Sequence, residues 1–344
     1  MKAIGYHEGG LSLTDKTSLL DLEITKPVAN AGELLIKVFA VSVNPVDTKI
    51  RRTPESYNEL QILGFDAVGR VEEVGSAVTN FNIGERVYYS GSGLYQGSNQ
   101  EYQVMDARLV GHAPENLGNE EAAAMPLTSL TAYESLFEKM HLPFVKNGAV
   151  GKSLLIINGA GGVGSIAIQL ANWAGLTVYA TASRKETQQW VKKMGADYVI
   201  NHHENIIAQV RDTGVTYVDN ILILHSTEDY FGIVAELIRP LGHIVSVEET
   251  SELLPLGLLK NKSASFDWEF MFAKPNNNIL PETQGQALEK LTELFENEKL
   301  FTTLSTTFND GINASNLKKA HKLLESNQSF GKVVVSGEFN GTPK

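Results

Sequence analysis

Two features predict an α/β chain in two parts, a β-rich, barrel-like segment followed by a doubly wound parallel sheet. Residues 1–125 carry short alternating and apolar runs, such as Glu33–Val43, parted by polar and glycine-bearing turns with no sustained helical period. From about residue 126 to 272, β-type runs alternate with helical patterns, as a parallel sheet requires. The last part, 273–344, holds a helical stretch from Glu282 to Glu298. It ends on a strand-like Gly331-Lys332-Val333-Val334-Val335-Ser336, which predicts a return to the first part.

The parallel segment is organised around Ser153–Ser183. Leu154-Leu155-Ile156-Ile157 is an apolar run suited to a strand buried on both faces. Gly159-Ala160-Gly161-Gly162-Val163-Gly164 then satisfies G-x-G-x-x-G. Ile166, Ala167, Leu170 and Ala171 follow at helical spacing, Gly175 stops the helix, and Leu176–Ala180 forms a second strand. In such a β-α-β unit the first glycine permits the tight turn, the next admits a pyrophosphate, and the last brings helix against strand. The unpaired N–H groups of the helix start meet the phosphate charge. The segment therefore predicts a Rossmann dinucleotide fold with Gly159, Gly161, Gly162, Val163 and Gly164 at the cofactor.

After the second strand, an NAD-selective fold usually presents an acid to the ribose 2′-OH. Here stand Ser183, Arg184 and Lys185, with no acid until Glu186. A hydroxyl and two cations suit a 2′-phosphate, so NADP(H) is the expected cofactor; a solvated pair of cations is the competing reading. The later strands Tyr198–Ile200, Tyr217–Leu224 and Gly242–Val247 end at His225 and at Val247-Glu248. Carboxyl ends are where an open α/β sheet binds its ligand.

At 344 residues the chain has ample length for two domains, and 42% apolar with 20% charged residues is ordinary for a globular protein. A formal charge of -11, with no basic block, speaks against a nucleic-acid partner. The N-terminal residues show no signal-peptide core and no run approaches a membrane span, so the expected location is cytoplasmic. There is no cysteine, which removes disulfides, thiolate catalysis and every cysteine-based zinc site.

Asn44-Pro45-Val46-Asp47, the run Gly64–Gly75 with Val78, Phe81 and Gly84-Glu85-Arg86-Val87, Pro126–Tyr133, the glycine turn, Met194–Asp197 and Gly331-Lys332-Val333 occur in one order along nearly the whole chain. On these residues the chain resembles the medium-chain dehydrogenase/reductases, specifically zinc-free quinone oxidoreductases and the zinc-type alcohol dehydrogenase-like group. The resemblance implies a GroES-like β-barrel catalytic domain (1–125), a Rossmann domain (126–272) and a return to the catalytic domain (273–344). It also implies a homodimer joined through edge strands.

A catalytic zinc site in such enzymes takes a cysteine near Asn44, the histidine of a Gly-His-Glu triplet and a cysteine near Thr128. Here the triplet reads Gly64-Phe65-Asp66, this half offers only His7 and His112, and the four-cysteine structural loop has no counterpart. No metal is expected. Without one, an isolated carbonyl is a poor hydride acceptor, whereas a quinone or enone delocalises the developing charge. This agrees with what the resemblance implies: NADPH-dependent reduction of quinones or α,β-unsaturated carbonyls. An alcohol or aldehyde dehydrogenase of the same fold and an NADPH-binding sensor with little turnover are the alternatives.

By resemblance Asn44 lies near the nicotinamide, with its amide free to donate; locally it reads equally well as a turn residue before Pro45. Thr128 faces the nicotinamide and pyrophosphate side, Phe272 ends an apolar wall begun at Trp268, and Lys332 matches a lysine near the cofactor phosphates or is a solvated strand residue. Tyr57, Tyr88, Tyr89 and Tyr95 are candidate proton donors, with packing as their competing role.

Overall fold

The computed structural model describes residues 1–342. Along the chain, β1 (Lys2–Glu8), β2 (Leu20–Glu23) and β3 (Glu33–Val43) precede helix α1 (Pro45–Arg52). Then come β4 (Ser56–Gln61), β5 (Asp66–Val74), β6 (Arg86–Ser90), β7 (Tyr102–Asp106) and β8 (Val110–His112). Helices α2 (Asn119–Ala123) and α3 (Pro126–Tyr133) follow, and α3 runs on into a π-helical turn, Glu134–Lys139. Pro126 opens α3, where its missing N–H costs nothing. The helix α1 is an element that the mostly-β reading of residues 1–125 did not locate. It is eight residues long, too short to establish a period, and is set instead by its ends: Pro45 at the first position and Asp47 accepting a hydrogen bond from the Asn44 N–H.

The alternating region contains β9 (Ser153–Ile157), α4 (Gly162–Trp173), β10 (Thr177–Thr181), α5 (Lys185–Met194), β11 (Tyr198–Ile200) and α6 (Ile206–Asp212). It continues with β12 (Val218–Ile223), α7 (Thr227–Leu237), β13 (Ile238–Ser246), α8 (Gly257–Lys260) and β14 (Ser265–Trp268). The chain closes with α9 (Ala273–Asn276), α10 (Glu282–Glu296), β15 (Leu304–Phe308), α11 (Ala314–Glu325) and β16 (Lys332–Ser336).

The chain divides into two compact units, Met1–Leu127 with Phe272–Lys344, and Thr128–Met271. In the first, a seven-stranded sheet runs β15-β16-β3-β5-β6-β8 with β7 also paired to β3, beside a three-stranded sheet β2-β1-β4. The eleven-residue β3 is its hub, pairing with β16, β5 and β7. Its inward residues Leu34, Ile36, Val38 and Val41 join Tyr89, Met105, Leu317 and Val333 in one apolar core.

The second unit holds a six-stranded parallel sheet, β11-β10-β9-β12-β13-β14. Its central strand β9 buries Leu154, Leu155, Ile156 and Ile157, explaining the unbroken apolar run in the sequence. The strand β14 occupies the sheet edge, with Trp268 exposed there and Phe270 exposed just beyond it.

Candidate functional site

In the second unit, the turn after β9 is built by close backbone approach. Asn158 takes φ 65°, a left-handed conformation that asparagine tolerates. Its N–H donates to Thr181 Oγ1 at 2.7 Å, and Gly159 N–H donates to the Thr181 carbonyl at 3.1 Å, fixing the turn against β10. A Cβ on Gly159 would lie 2.8 Å from Ala180 Cβ, and one on Gly164 only 2.5 Å from the Gly159 carbonyl oxygen. Both glycines are demanded by packing inside the protein.

Gly161 is different. Its φ of -69° suits any residue, and a Cβ there would meet nothing nearer than Asn158 Nδ2 at 3.4 Å. Nothing inside the protein requires the absence of a side chain at this position. The helix α4 starts beside it at Gly162, with no side chain capping its first turn. A positive helix end behind a surface kept clear of side chains fits a pyrophosphate. These residues would hold that part of a dinucleotide.

Past β10, Ser183 is half-buried, while Arg184 and Lys185 are exposed at the cap and first position of α5. Cations are unfavourable at a helix N-terminus, where the backbone already presents positive charge. An anion arriving there relieves that repulsion. His225, exposed, lies two residues beyond β12, and half-buried Val247 lies one beyond β13, where its N–H donates to the Ile223 carbonyl at 3.1 Å. Between them Thr227 Oγ1 hydrogen-bonds Ser246 Oγ at 2.7 Å and donates to the Glu248 carbonyl, tying the two strand ends together. Thr128, in α3, is buried.

The first unit gathers a buried polar cluster at one end of its sheet. Register brings it together: Val43 of β3 pairs with Val333 of β16, and Ser42 with Asp66 of β5. Asn44, Lys332 and Asp66 therefore converge. Lys332 Nζ donates to Asp66 Oδ2 at 2.8 Å and to Asn44 Oδ1. Asn44 Nδ2 donates to the same Asp66 oxygen at 2.8 Å, with a longer contact of 3.4 Å to the Ser42 carbonyl. The other Asp66 oxygen accepts from Leu127 N–H at 2.6 Å, in the first turn of α3. Asp47 accepts from the N–H groups of Asn44 (2.7 Å) and Gly64 (3.1 Å). Burial, with the nearby Asp66 charge, pushes the Asp47 carboxyl up to about 7 against the pull of its hydrogen bonds and Lys332.

This arrangement corrects two expectations. Lys332 is not a solvated strand lysine: its ammonium is committed to Asp66 and Asn44, and its residue is only 3% exposed. The Asn44 amide, in turn, is committed inside the cluster. Asp66, absent from the residues singled out in the sequence, is the node of the network. The triplet Gly64-Phe65-Asp66 was its only signal, and nothing local points to a lysine so far along the chain.

Phe272 falls in this first unit, buried, with its ring centroid 4.6 Å from that of Phe65. The triplet position that would carry a zinc-ligating histidine is thus packed ring against ring. Among the described residues no group of three His, Cys, Asp or Glu side chains could hold a metal ion. The four tyrosine hydroxyls are engaged: Tyr57 with Glu55, Tyr88 with the Leu288 carbonyl, Tyr89 with Gln103 and Tyr95 with Glu33. Desolvation pushes Tyr95 up to about 12 and raises Tyr88 and Tyr89 as well. None is poised to release a proton. A cavity of about 540 Å³ beside Glu33, Arg108 and Glu289 is lined by Tyr95 but by none of the residues expected at the cofactor.

One more pair escaped the sequence reading. In the second unit Glu269, just past β14, is buried and hydrogen-bonded to Glu134 of the π-helical turn; burial first, and then that neighbouring carboxylate, push Glu269 up to about 9.

Residues 30–122 match the alcohol dehydrogenase GroES-like domain, and residues 162–265 match the zinc-binding dehydrogenase family. A zinc-type alcohol dehydrogenase-like protein of Staphylococcus aureus is 42% identical over 98% of this chain and 100% of its own length. The chain belongs to the medium-chain dehydrogenase/reductase superfamily. It is an oxidoreductase of that superfamily, with a GroES-like domain and a Rossmann domain. The chloroplastic NADPH-dependent alkenal/one oxidoreductase of Arabidopsis thaliana is 30% identical over 97% of this chain and 79% of its own. Among solved structures, a Rhizobium etli protein assigned to the zinc-dependent alcohol dehydrogenases has TM-score 0.91 and 41% identity, covering 98% of both chains. The Escherichia coli quinone oxidoreductase complexed with NADPH has TM-score 0.81 and 25% identity over 98% of this chain and 100% of that one. No helix among the described residues is long and apolar enough to cross a membrane.

Proposed function

We propose that this medium-chain oxidoreductase is an NADPH-dependent reductase of quinones or α,β-unsaturated carbonyls that works without a metal. The observation that carries the reading is the contact between Phe65 and Phe272, which fills with aromatic surface the position where a zinc-dependent relative would offer a histidine. Asp66, the next residue, is likewise committed, to the Lys332 ammonium. The names of the Arabidopsis and Escherichia coli relatives support the substrate and cofactor classes.

The nicotinamide, when bound, supplies the hydride. The chain's own residues bind and orient. The Gly159–Gly164 turn and the start of α4 hold the pyrophosphate, Ser183 and Arg184 read the 2′-phosphate, and His225 and Val247 border the site at the ends of β12 and β13. Thr128 is proposed to contact the cofactor from α3. Asn44 stiffens the buried cluster rather than donating outward, because its amide is already spent on Asp66 and Lys332. A conjugated acceptor spreads its developing negative charge, so orientation and a few hydrogen bonds take the place of a Lewis acid.

Purified protein should oxidise NADPH with quinones or enones, with no loss on chelation and no stoichiometric zinc. Turnover of simple alcohols or aldehydes alone, abolished by chelator, overturns the reading. We also propose a homodimer through the β14 edge, where Trp268 and Phe270 are exposed. Light scattering that returns a monomer mass at every dilution rejects it.

A further inference from the structure

The strands β10 and β11 run parallel with Thr181 opposite Ile200, and the Ala182 N–H donates to the Ile200 carbonyl at 2.9 Å. The segments Ser183–Lys185 and Asn201–His203 therefore leave the same end of the sheet side by side. The second segment is built rather than loose. Asn201 N–H donates to Gln209 Oε1 and Gln209 Nε2 donates back to the Asn201 carbonyl, both at 2.9 Å. Asn201 Nδ2 donates to Glu204 at 2.8 Å, and His203 N–H donates to Asn201 Oδ1 at 3.1 Å. That framework sets the rings of His202 and His203 with centroids 4.6 Å apart. His225, beyond the end of β12, lies close enough for its charge to act on His202. Three imidazoles thus share the sheet end that also carries Arg184 and Lys185. Acids at this sheet end include Glu186 in the first turn of α5, Glu204, held by Asn201, and Glu228, on which the His225 charge acts.

We propose that His202, backed by His203 and His225, is a proton-linked part of the 2′-phosphate site, so that binding of NADPH, but not NADH, takes up a proton. This rests on the NADPH reading above and goes beyond it by naming the residues and the linkage. A protonated imidazole offers two N–H donors and a positive charge, which suit a phosphate monoester dianion. In the free protein burial lowers the His202 pKa, and the charges of His203 and His225 lower it further. His202 is then neutral at the pH where a dianion arriving beside it favours the charged form. The sign follows: the complex binds the extra proton, so NADPH affinity rises as pH falls through the imidazole range. One proton taken up gives a slope approaching tenfold in affinity per pH unit. The cofactor phosphate itself titrates near pH 6, so the effect is read above about 6.5.

Fluorescence titration of NADPH and NADH in phosphate-free buffers from pH 6.5 to 8.5 tests this. The NADPH:NADH affinity ratio should climb severalfold toward the acid side in wild type and flatten in His202→Asn. The exposed His203→Asn and His225→Asn each remove one repelling neighbour. Each should move the midpoint of the slope to higher pH without removing it, which covers the case that His202→Asn fails to fold. A wild-type ratio independent of pH, or a slope unchanged in His202→Asn, overturns this proposal while leaving the NADPH reading standing. Wild type binding NADH at least as tightly as NADPH at every pH overturns both.

Discussion

Lys332 Nζ lies 2.8 Å from Asp66 Oδ2, and both side chains are almost wholly shielded from water, at 3% and 0% exposure. The ammonium is the cation that faces two buried carboxylates, Asp66 and Asp47. Removing one partner of such a pair leaves uncompensated buried charge, a cost of about 3–5 kcal/mol. Lys332→Met should therefore lower the unfolding free energy by that amount, read as a shift in denaturant midpoint. Asp66→Asn in the same chain should recover part of the loss by neutralising the orphaned carboxylate. A surface-like change under ~0.5 kcal/mol for Lys332→Met would place the lysine in solvent.

The glycine turn makes a sharper prediction than its motif does. Gly164→Ala forces a Cβ into contact with two backbone carbonyl oxygens, at 2.5 and 2.7 Å, so it should destabilise the second unit and lower the melting temperature. Gly161→Ala meets only ordinary contacts with Asn158, at 3.4 Å and beyond, with a permitted φ, and should fold normally. If the clearance at Gly161 exists for a pyrophosphate, Gly161→Ala should still weaken NADPH binding about tenfold or more, a cost of roughly 1.4 kcal/mol. Calorimetric titration of the folded variant checks this. Unchanged affinity would remove the turn from the binding site.

What could be read from the chain, and what could not, divides along sequence distance. The β9–α4–β10 unit was legible because its signals are local: an apolar run, glycines at fixed spacing, a helical period. The motif did not separate Gly161, where a Cβ would make only ordinary contacts, from Gly159 and Gly164, which are packed shut. Asn44 was legible as a residue of interest, but its partners belong to β5 and β16, and only the register of three strands joins them. The pairing of Glu134 with Glu269 is of the same kind. A carboxylate in a helix and another after a strand each read as ordinary until both are found buried together.

That carboxyl pair sets a pH dependence with a definite sign. Glu269, raised from an ordinary 4.5 to about 9, keeps in the folded protein a proton that the unfolded chain releases. Its contribution is most favourable below about 4.5 and is lost as pH rises toward about 9, by at most ~1.4 kcal/mol per pH unit. Glu269→Gln keeps a donor toward Glu134 and has no proton to lose. The variant should gain stability relative to wild type from pH 5 to 9, with the gap closing at the acid end. Urea midpoints of both proteins across that range measure it. A gap that does not change with pH would mean that Glu269 is already ionised in the folded state.

The proposed preference for NADPH rests on charge at the start of α5. Arg184 occupies the N-cap position of this helix without a capping side-chain bond and Lys185 opens it, so two cations stand where the helix already favours anions. A 2′-phosphate brings nearly two negative charges, and a guanidinium offers it a planar fork. Arg184→Ala should weaken NADPH binding by about 1.5–3 kcal/mol, the scale of a hydrogen bond to a charged group. NADH has no phosphate at that point, so its affinity should hardly move. Lys185 offers partial compensation, which shrinks the effect without reversing it. The same substitution also relieves repulsion at the helix end, so the free protein should become no less stable, and slightly more so, at low ionic strength. Titration of both cofactors, with melting temperatures of the free proteins, separates the two consequences. Equal loss for NADPH and NADH would assign Arg184 to the shared part of the cofactor and end its role as the phosphate reader.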